Sequence, residues 1–450
     1  MGNTDLLFKT IRGLVESRKF ASLRELIVTQ PAADLAFILE QLPMEDSALL
    51  FRMLPKELAA DTFVDMNPDL QEQLIRAFTD TELKEIMEEL YTDDAADLCG
   101  EMPANIVKRI LTQADPQKRQ QINAILKYPE DSAGGLMTTE FVDFSPDDTV
   151  ASAIDLIRRT GIDKETVNIC YVTDAGKKLL GVVPIRALIL AKGDMKIADI
   201  MTPHVLSVTT LEDQENVADL LSKYDLIALP VVDAEDRLVG IITIDDAIDV
   251  MQEETSEDIA KMAAVTPTDK PYLKQSVFSI YKSRIPWLMI LMVSAAVTGS
   301  IITHFEDALS SYIVLAASIP MLMDTGGNCG SQSSVTIIRG ISLHEIAFKD
   351  ILKVMWKEAR VSLLCGISLA IVNFGKLMLF NHTTAAVAAV ICITMIATIF
   401  AAKLVGCSLP ILAKKIGLDP AVMASPFITT IVDALSLIIY FNVASAILGL

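Results

Sequence analysis

Residues 421–448 read AVMASPFITTIVDALSLIIYFNVASAIL, an apolar run with one charged side chain, Asp433. The run is long enough for a helix to cross the hydrocarbon core of a bilayer, which takes about 20 residues at about 1.5 Å each. Asp433 falls about 12 residues in, roughly 18 Å deep on that rise and near mid-membrane. A lone carboxylate at that depth is costly unless it faces water, a polar neighbour or a cation. No basic residue stands near it in the run. A pore-facing cation site is therefore favoured over an aspartate that hydrogen-bonds between helices.

Four more apolar stretches precede this one, roughly 285–305, 308–328, 361–380 and 384–406, so five spans are predicted. Basic residues orient them. Lys282 and Arg284 precede the first span. Arg339, Lys349, Lys353, Lys357 and Arg360 lie between the second and third, and Lys414 and Lys415 between the fourth and fifth. The other connections carry Glu306 and Asp307, then Asn381 and His382. This alternation places the N-terminus in the cytosol and the C-terminus outside. Lys376 breaks the rule, but near a span end it can snorkel. The second stretch ends in Pro320, Asp324 and the run TGGNCGSQ (325–332). Proline and glycine there are expected to loosen the helix and free carbonyls to line a cavity; the alternative is a helix contact through small residues. Ser425-Pro426 is expected to break the fifth span near its cytosolic end, forming a shared pore entrance.

The remaining 280 residues differ sharply. The 450-residue chain, long enough for about three domains, is 52% hydrophobic and holds 38 basic and 58 acidic residues. Residues 281–450 hold 11 and 8 of them, a net of +3, which leaves 27 and 50, a net of −23, for residues 1–280. Such a portion repels phosphate, which excludes nucleic acid as a partner, and attracts cations. The start MGNTDLLFKT has no basic n-region or apolar core and is not read as a secretory signal. Cys99, Cys170, Cys329, Cys365, Cys392 and Cys407 form no C-x-x-C pair and read as buried hydrophobes in a reducing compartment. The histidines show no zinc spacing. No nucleophile–base set or phosphate loop marks an enzyme.

Residues 1–125 read as stacked short helices, a small solenoid, with turn signals at Pro43, Pro55, Pro68, Thr79-Asp80, Thr92-Asp93 and Pro103. Asp80 and Thr92 are candidate N-caps. Residues 137–250 hold a duplication: Met137-Thr138-Thr139 opens one unit and Met201-Thr202-Pro203 the next, 64 residues later. Each unit continues with a helix, a strand (NICYVTD, ALPVVD), a second strand (LLGVVPI, LVGIITI) and a helix. This order resembles a tandem CBS-domain pair. In CBS pairs that bind adenosine nucleotides, G-h-h-T-x-x-D often holds the ribose. Gly240 to Asp246 matches that motif, making Thr243 and Asp246 candidate contacts for a nucleotide such as ATP. Pro184 and Arg186 depart from the motif in the first unit. Acidic residues crowd the second unit and beyond: Asp213, Glu215, Asp225, Asp246, Asp249, Glu253, Glu254, Glu257 and Asp258. Mg2+ usually takes one or two carboxylates and keeps several waters; a solvated acidic face is the alternative. EETSEDIAKMAAV, within 251–280, is predicted helical and leads to the first span.

The order of parts, together with LPKELAAD (54–61), DDAAD (93–97), AGGLMT (133–138), YDLIALPVVD (224–233), VGIITIDDAIDVM (239–251), ETSEDI (254–259), TGGNCGSQ and GLDPAVMASPFITTIVDALSL (417–437), resembles the MgtE family of magnesium channels along nearly the whole chain. The resemblance implies a multidomain protein: an all-α, solenoid-like acidic N domain (1–130), an α/β tandem CBS pair (131–250), a connecting plug helix (251–280) and a five-helix transmembrane domain (281–450). It implies a plasma-membrane homodimer with one pore at the subunit interface and hydrated Mg2+ on Asp433. Mg2+ would bridge the cytosolic parts and lock the pore shut. By motif position, the sensing carboxylates are Asp61, Asp93, Asp213, Glu215, Asp225, Asp246, Asp249, Glu254, Glu257 and Asp258. Some members carry Asn where this chain has Ser425, which puts a ligand role for that side chain in doubt. The competing readings are a CBS-regulated transporter of another divalent cation, Co2+ or Mn2+, and a membrane Mg2+ sensor without transport.

Overall fold

The computed structural model describes residues 2–268, 272–305, 313–381, 383–423 and 425–448. They fall into two compact units, residues 1–251 and 252–450. Glu306, Asp307, His382 and residues 308–312 of the second predicted span lie outside the described residues.

The first unit opens with ten helices, from Gly2–Glu16 to Pro116–Ile125. Proline opens six of them. Pro31, Pro43, Pro55 and Pro103 each stand in extended backbone immediately before a helix. Pro68 and Pro116 take first helical positions behind Asn67 and Asp115, whose side chains accept from the amides of Leu70 and Gln117. Proline has no N–H to donate and drives its predecessor out of helical backbone, so each helix starts afresh. The inward faces bury Leu35, Leu39, Leu50, Phe63, Leu74 and Leu83 in one core. Each such side chain contributes about 1.5–3 kcal/mol when removed from water. The rings of Phe51, Phe63 and Phe78 lie 5.3–6.3 Å apart in it.

Two expected caps are corrected. Thr79, not Asp80, caps the helix Asp80–Glu89, in a reciprocal box with Glu82. Thr92 is already in the first turn of Thr92–Glu101, and its hydroxyl donates to Glu140 instead. In both places a side chain one residue away, or a distant acceptor, competes better than local spacing suggests.

The duplication folds as two sheets. Strands β1 (Asp143–Phe144), β2 (Ile169–Thr173), β3 (Leu179–Pro184) and β4 (Thr202–Pro203) lie in that order in one sheet. Strands β5 (Val208–Thr209), β6 (Ala228–Val232) and β7 (Leu238–Thr243) form the other. The first pair in each is parallel and the second antiparallel, the same pattern twice. Each unit's opening segment sits on the other's sheet: β4 pairs with β3, and Thr138 bridges Ile241 of β7. Gly181 and Gly240 allow this, because a Cβ at either would lie 2.8 Å from the carbonyl oxygen of Thr202 or Thr138. The last helix of the pair runs Ile244–Met262, so it starts before the predicted connector; residues 269–271 lie outside the described residues.

The second unit contains five long helices among the described residues: the first Val277–His304, the second Ile313–Ser342, the third Ile351–Leu379, the fourth Ala385–Lys415 and the fifth Ser425–Leu448. Four stretches are long and apolar enough to cross a membrane: Val277–His304, Phe348–Leu379, Ala385–Lys415 and Pro420–Leu448. The second helix has the length but carries a polar, glycine-rich middle, and it packs against the fourth and fifth. Their shared core includes Leu315, Leu322, Ile391, Met395, Leu437 and Phe441, and Tyr440 donates to the Leu315 carbonyl at 3.0 Å.

The expected loosening at Pro320–Gly327 is corrected. The helix runs unbroken from Ile313 to Ser342. Its glycines serve close helix packing. A Cβ on Gly330 would sit 2.9 Å from Ile428 Cγ2, and one on Gly406 would sit 2.2 Å from the Gly330 carbonyl oxygen. Small residues let the backbones approach until van der Waals attraction between them replaces side-chain packing, so continuous helix wins over freed carbonyls. Ser425-Pro426 opens the fifth helix rather than breaking it, after a short 3-10 turn at Pro420–Met423.

Candidate metal-binding centres

Within the first unit, the N domain meets the CBS pair through polar contacts and then through acid. Thr92 donates to Glu140, Thr138 Oγ1 donates to the same carboxylate at 2.8 Å, and Gln121 Nε2 reaches Thr139 Oγ1 at 3.0 Å. Beside them lie carboxylates from three parts of the chain. Asp93 is 7% exposed, and its Oδ1 has no hydrogen-bond partner among the described residues. Burial, then the charges of Asp94, Asp246 and Glu165, push Asp93 well above the usual carboxylate range. Burial and Asp246 raise Asp94 to about 6. Glu165 is pushed to about 8 by burial, Asp246 and Asp94. Asp246 is raised to about 6 by burial, against the hydrogen bond from Thr243 that favours its charge. Asp65 is raised by burial and then by Asp61 and Asp249, and Asp61 by burial and then Glu57.

These groups act on one another at a distance. Among the described residues no three acids, histidines or cysteines converge as a direct metal cage. Mg2+ keeps several waters and is usually held by only one or two carboxylates.

The sequence-predicted residues thus separate. Asp61, Asp93, Asp246 and Asp249 share this field. Asp65, Asp94 and Glu165 belong to it and were missed; Asp94 stands inside the quoted DDAAD run, but nothing local marks Glu165. Asp213 caps the helix Gln214–Lys223, accepting from the Glu215 amide at 2.9 Å, with Glu215 exposed on the first turn. Asp225 is exposed with a left-handed backbone (φ 50°) and lines a cleft of about 200 Å3 with Val205, Leu206, Ile227, Ala228 and Pro230. Ala228 lies opposite Thr243 in the β6–β7 ladder. Thr243 is buried, and its hydroxyl donates to Asp246 Oδ2 at 2.6 Å.

In the second unit, Lys261 Nζ lies 2.7 Å from Glu257 Oε1 and 2.7 Å from Asp419 Oδ2. Burial, then Asp419, raises Asp258, and Glu254 acts on it in the same sense. Asp419 also caps the Pro420–Met423 turn by accepting from the Ala421 amide at 2.7 Å. The end of the Ile244–Met262 helix is therefore tied to the turn that opens the fifth helix. Asp433 is half-buried on that helix, with no basic partner among the described residues; the charge that reaches it is Asp324 of the second helix.

Residues 319–443 match the family model described as the MgtE divalent cation transporter, residues 30–131 the MgtE intracellular N domain, and residues 133–194 and 197–253 the CBS domain. A magnesium transporter MgtE of Thermus thermophilus is 39% identical over 341 residues, 76% of this chain and 75% of that protein. One of Bacillus subtilis is 33% identical over 397 residues, 86% of each. The crystal structure of the cytosolic domain of the Mg2+ channel MgtE in complex with ATP is similar with a TM-score of 0.52 and 36% identity, covering 54% of this chain and 99% of that one. An acidic helical N domain, a CBS pair and a helical region with four candidate spans therefore follow one another along this chain. The chain belongs to the MgtE family of magnesium transporters.

Proposed function

We propose that this protein admits Mg2+ through a pore at the interface of a homodimer and closes when Mg2+ binds its cytosolic domains. The observation that carries the gating is the acidic field joining Asp61, Asp65, Asp93, Asp94, Glu165, Asp246 and Asp249 across the N domain and both CBS units. Without cations these carboxylates oppose the closed arrangement. A divalent ion binds that arrangement better and shifts the population toward it. Asp213, Glu215 and Asp225 would meet other ions or the partner copy, and Glu254, Glu257 and Asp258 would carry the signal along the connecting segment to Asp419.

In this reading all five long helices span the plasma membrane, the C-terminus lies outside and Asp433 holds hydrated Mg2+ in the path. Functional parts are 1–130, 131–250, 251–280 and 281–450, with 251–280 acting as the plug. The cleft beside Thr243 supports adenosine-nucleotide binding, since a relative's cytosolic domain was crystallised with ATP; Asp246 would then leave Thr243 to meet the ribose. The test is Mg2+ uptake into proteoliposomes with a Mg2+-sensitive dye, comparing the unaltered chain with Asp433→Ala while Mg2+ on the cytosolic-domain face is varied. The reading requires that uptake fall as that Mg2+ rises and vanish in the folded variant. Uptake that ignores cytosolic-face Mg2+ would refute the gating, equal uptake in both chains would refute the path, and uptake of Co2+ or Mn2+ alone would change the substrate.

A further inference from the structure

The second unit holds a charge pair that the transport reading does not use. Lys403 of the fourth helix is 5% exposed, and its Nζ lies 3.2 Å from Glu358 Oε2 of the third helix and 3.1 Å from Ser333 Oγ of the second. Ser333 Oγ donates to the same Glu358 oxygen at 2.6 Å. Three helices meet at this point. Lys403 lies 12 residues before the end of its helix, roughly 18 Å inside at about 1.5 Å per residue. Ionisable groups at such depth are expensive, and a buried pair recovers its desolvation cost poorly. Apolar side chains of similar volume would serve stability as well, so the pair needs another reason.

Its neighbours supply one. Ser334, the next residue on the second helix, turns about 100° away and donates to the Met423 carbonyl at 3.0 Å, in the turn that opens the fifth helix. One turn before Ser333, Gly330 makes the close approach to Gly406, itself one turn after Lys403, and packs against Ile428 and Val432. Val432 adjoins Asp433. The charge pair and the Asp433 helix are thus held by the same turn of the second helix.

We propose that Lys403, Glu358 and Ser333 form a positioning clamp for transport, which, through Ser334 and the Gly330–Gly406 crossing, sets the opening turn of the fifth helix and the place of Asp433 in the ion path. The clamp rests on the reading that Asp433 lines that path. It requires that its parts act as one unit, since each breaks the same linkage.

The test uses the full chain in proteoliposomes with a Mg2+ dye, and records initial uptake at saturating Mg2+, half-saturating Mg2+ and the melting midpoint. Ser334→Ala removes one hydroxyl and no charge. Lys403→Met with Glu358→Gln removes the pair without leaving a lone ion. Each is expected to lower the saturated rate about fivefold or more, because misplacing a site by even an ångström is costly, with half-saturating Mg2+ within about twofold. Combined, they should fall no further than the worse of the two. A wild-type rate in Ser334→Ala, multiplying effects in the combination, or rate losses that only follow lowered melting would each overturn the clamp. Should the paired variant fail to fold, Ser334→Ala decides alone. Asp433→Asn runs beside them: its loss of uptake with a normal Ser334→Ala sinks the clamp only, whereas normal uptake in Asp433→Asn sinks the path reading on which the clamp depends.

Discussion

Neutralising Asp94 tests the acidic field most directly. Its carboxyl is raised from an ordinary 3.8 to about 6, first by burial and then by Asp246. A carboxylate whose folded value is raised binds protons better in the folded, assembled state. Its stabilising contribution is complete below about pH 4 and is lost as pH rises through about 6. Two units at about 1.36 kcal/mol each set the loss at neutral pH at about 3 kcal/mol. The charges of Asp93 and Asp246 share its surroundings, so that figure is a ceiling for Asp94 and the three contributions do not add. For a unit of some 250 residues, about 2–4 °C follows each kcal/mol, giving at most roughly 6–12 °C. The assay is calorimetry of the full chain with EDTA, following the cytosolic transition across pH 5–7.5. The midpoint should fall as pH rises. Asp94→Asn should raise it at pH 7, flatten its pH dependence and shrink the gain produced by Mg2+. A midpoint that holds or rises with pH, or an Asp94→Asn protein that melts as before, would refute the argument that these carboxylates oppose assembly.

Two further outcomes follow from the second unit. Gly406→Val places side-chain carbon against the Gly330 carbonyl oxygen, where even a Cβ would be 2.2 Å away; the helices must part at a cost of about 1–3 kcal/mol or more, so monodisperse protein on gel filtration should be lost, with Gly406→Ala intermediate. Lys261→Met removes the cation between Glu257 and Asp419. Because that pair is partly exposed, melting should change by only about 0–1 kcal/mol, while more cytosolic-face Mg2+ should be needed for half-closure; an unchanged closure curve would exclude Lys261 from the gating link.

Much of this protein is legible in its sequence, because some signals are local. Proline immediately before a short helix acts on its own neighbours' backbone, so the N-domain breaks at Pro43, Pro55 and Pro103 could be read directly. The duplicated Met-Thr openings and Val/Ile-rich strand pairs announce the CBS pair, since burying both faces of a short strand demands an apolar run wherever it lies. Asp433 stands out because a carboxylate in an apolar run is costly in any packing. What depends on distant partners was hidden. Pro320 and the glycines after it promised a loosened helix, yet Ile428, Val432 and the backbone of Gly406 fill the space that glycine leaves, and close packing keeps the helix intact. Lys403 passes unmarked within its predicted span, and only folding brings Glu358 and Ser333 beside it. Of the acidic residues in residues 1–280, sequence position could not say that Asp94 and Glu165 converge with Asp246. Burial and mutual repulsion arise only when folding brings charges together across the chain, so the identity of the acidic field belongs to the tertiary structure.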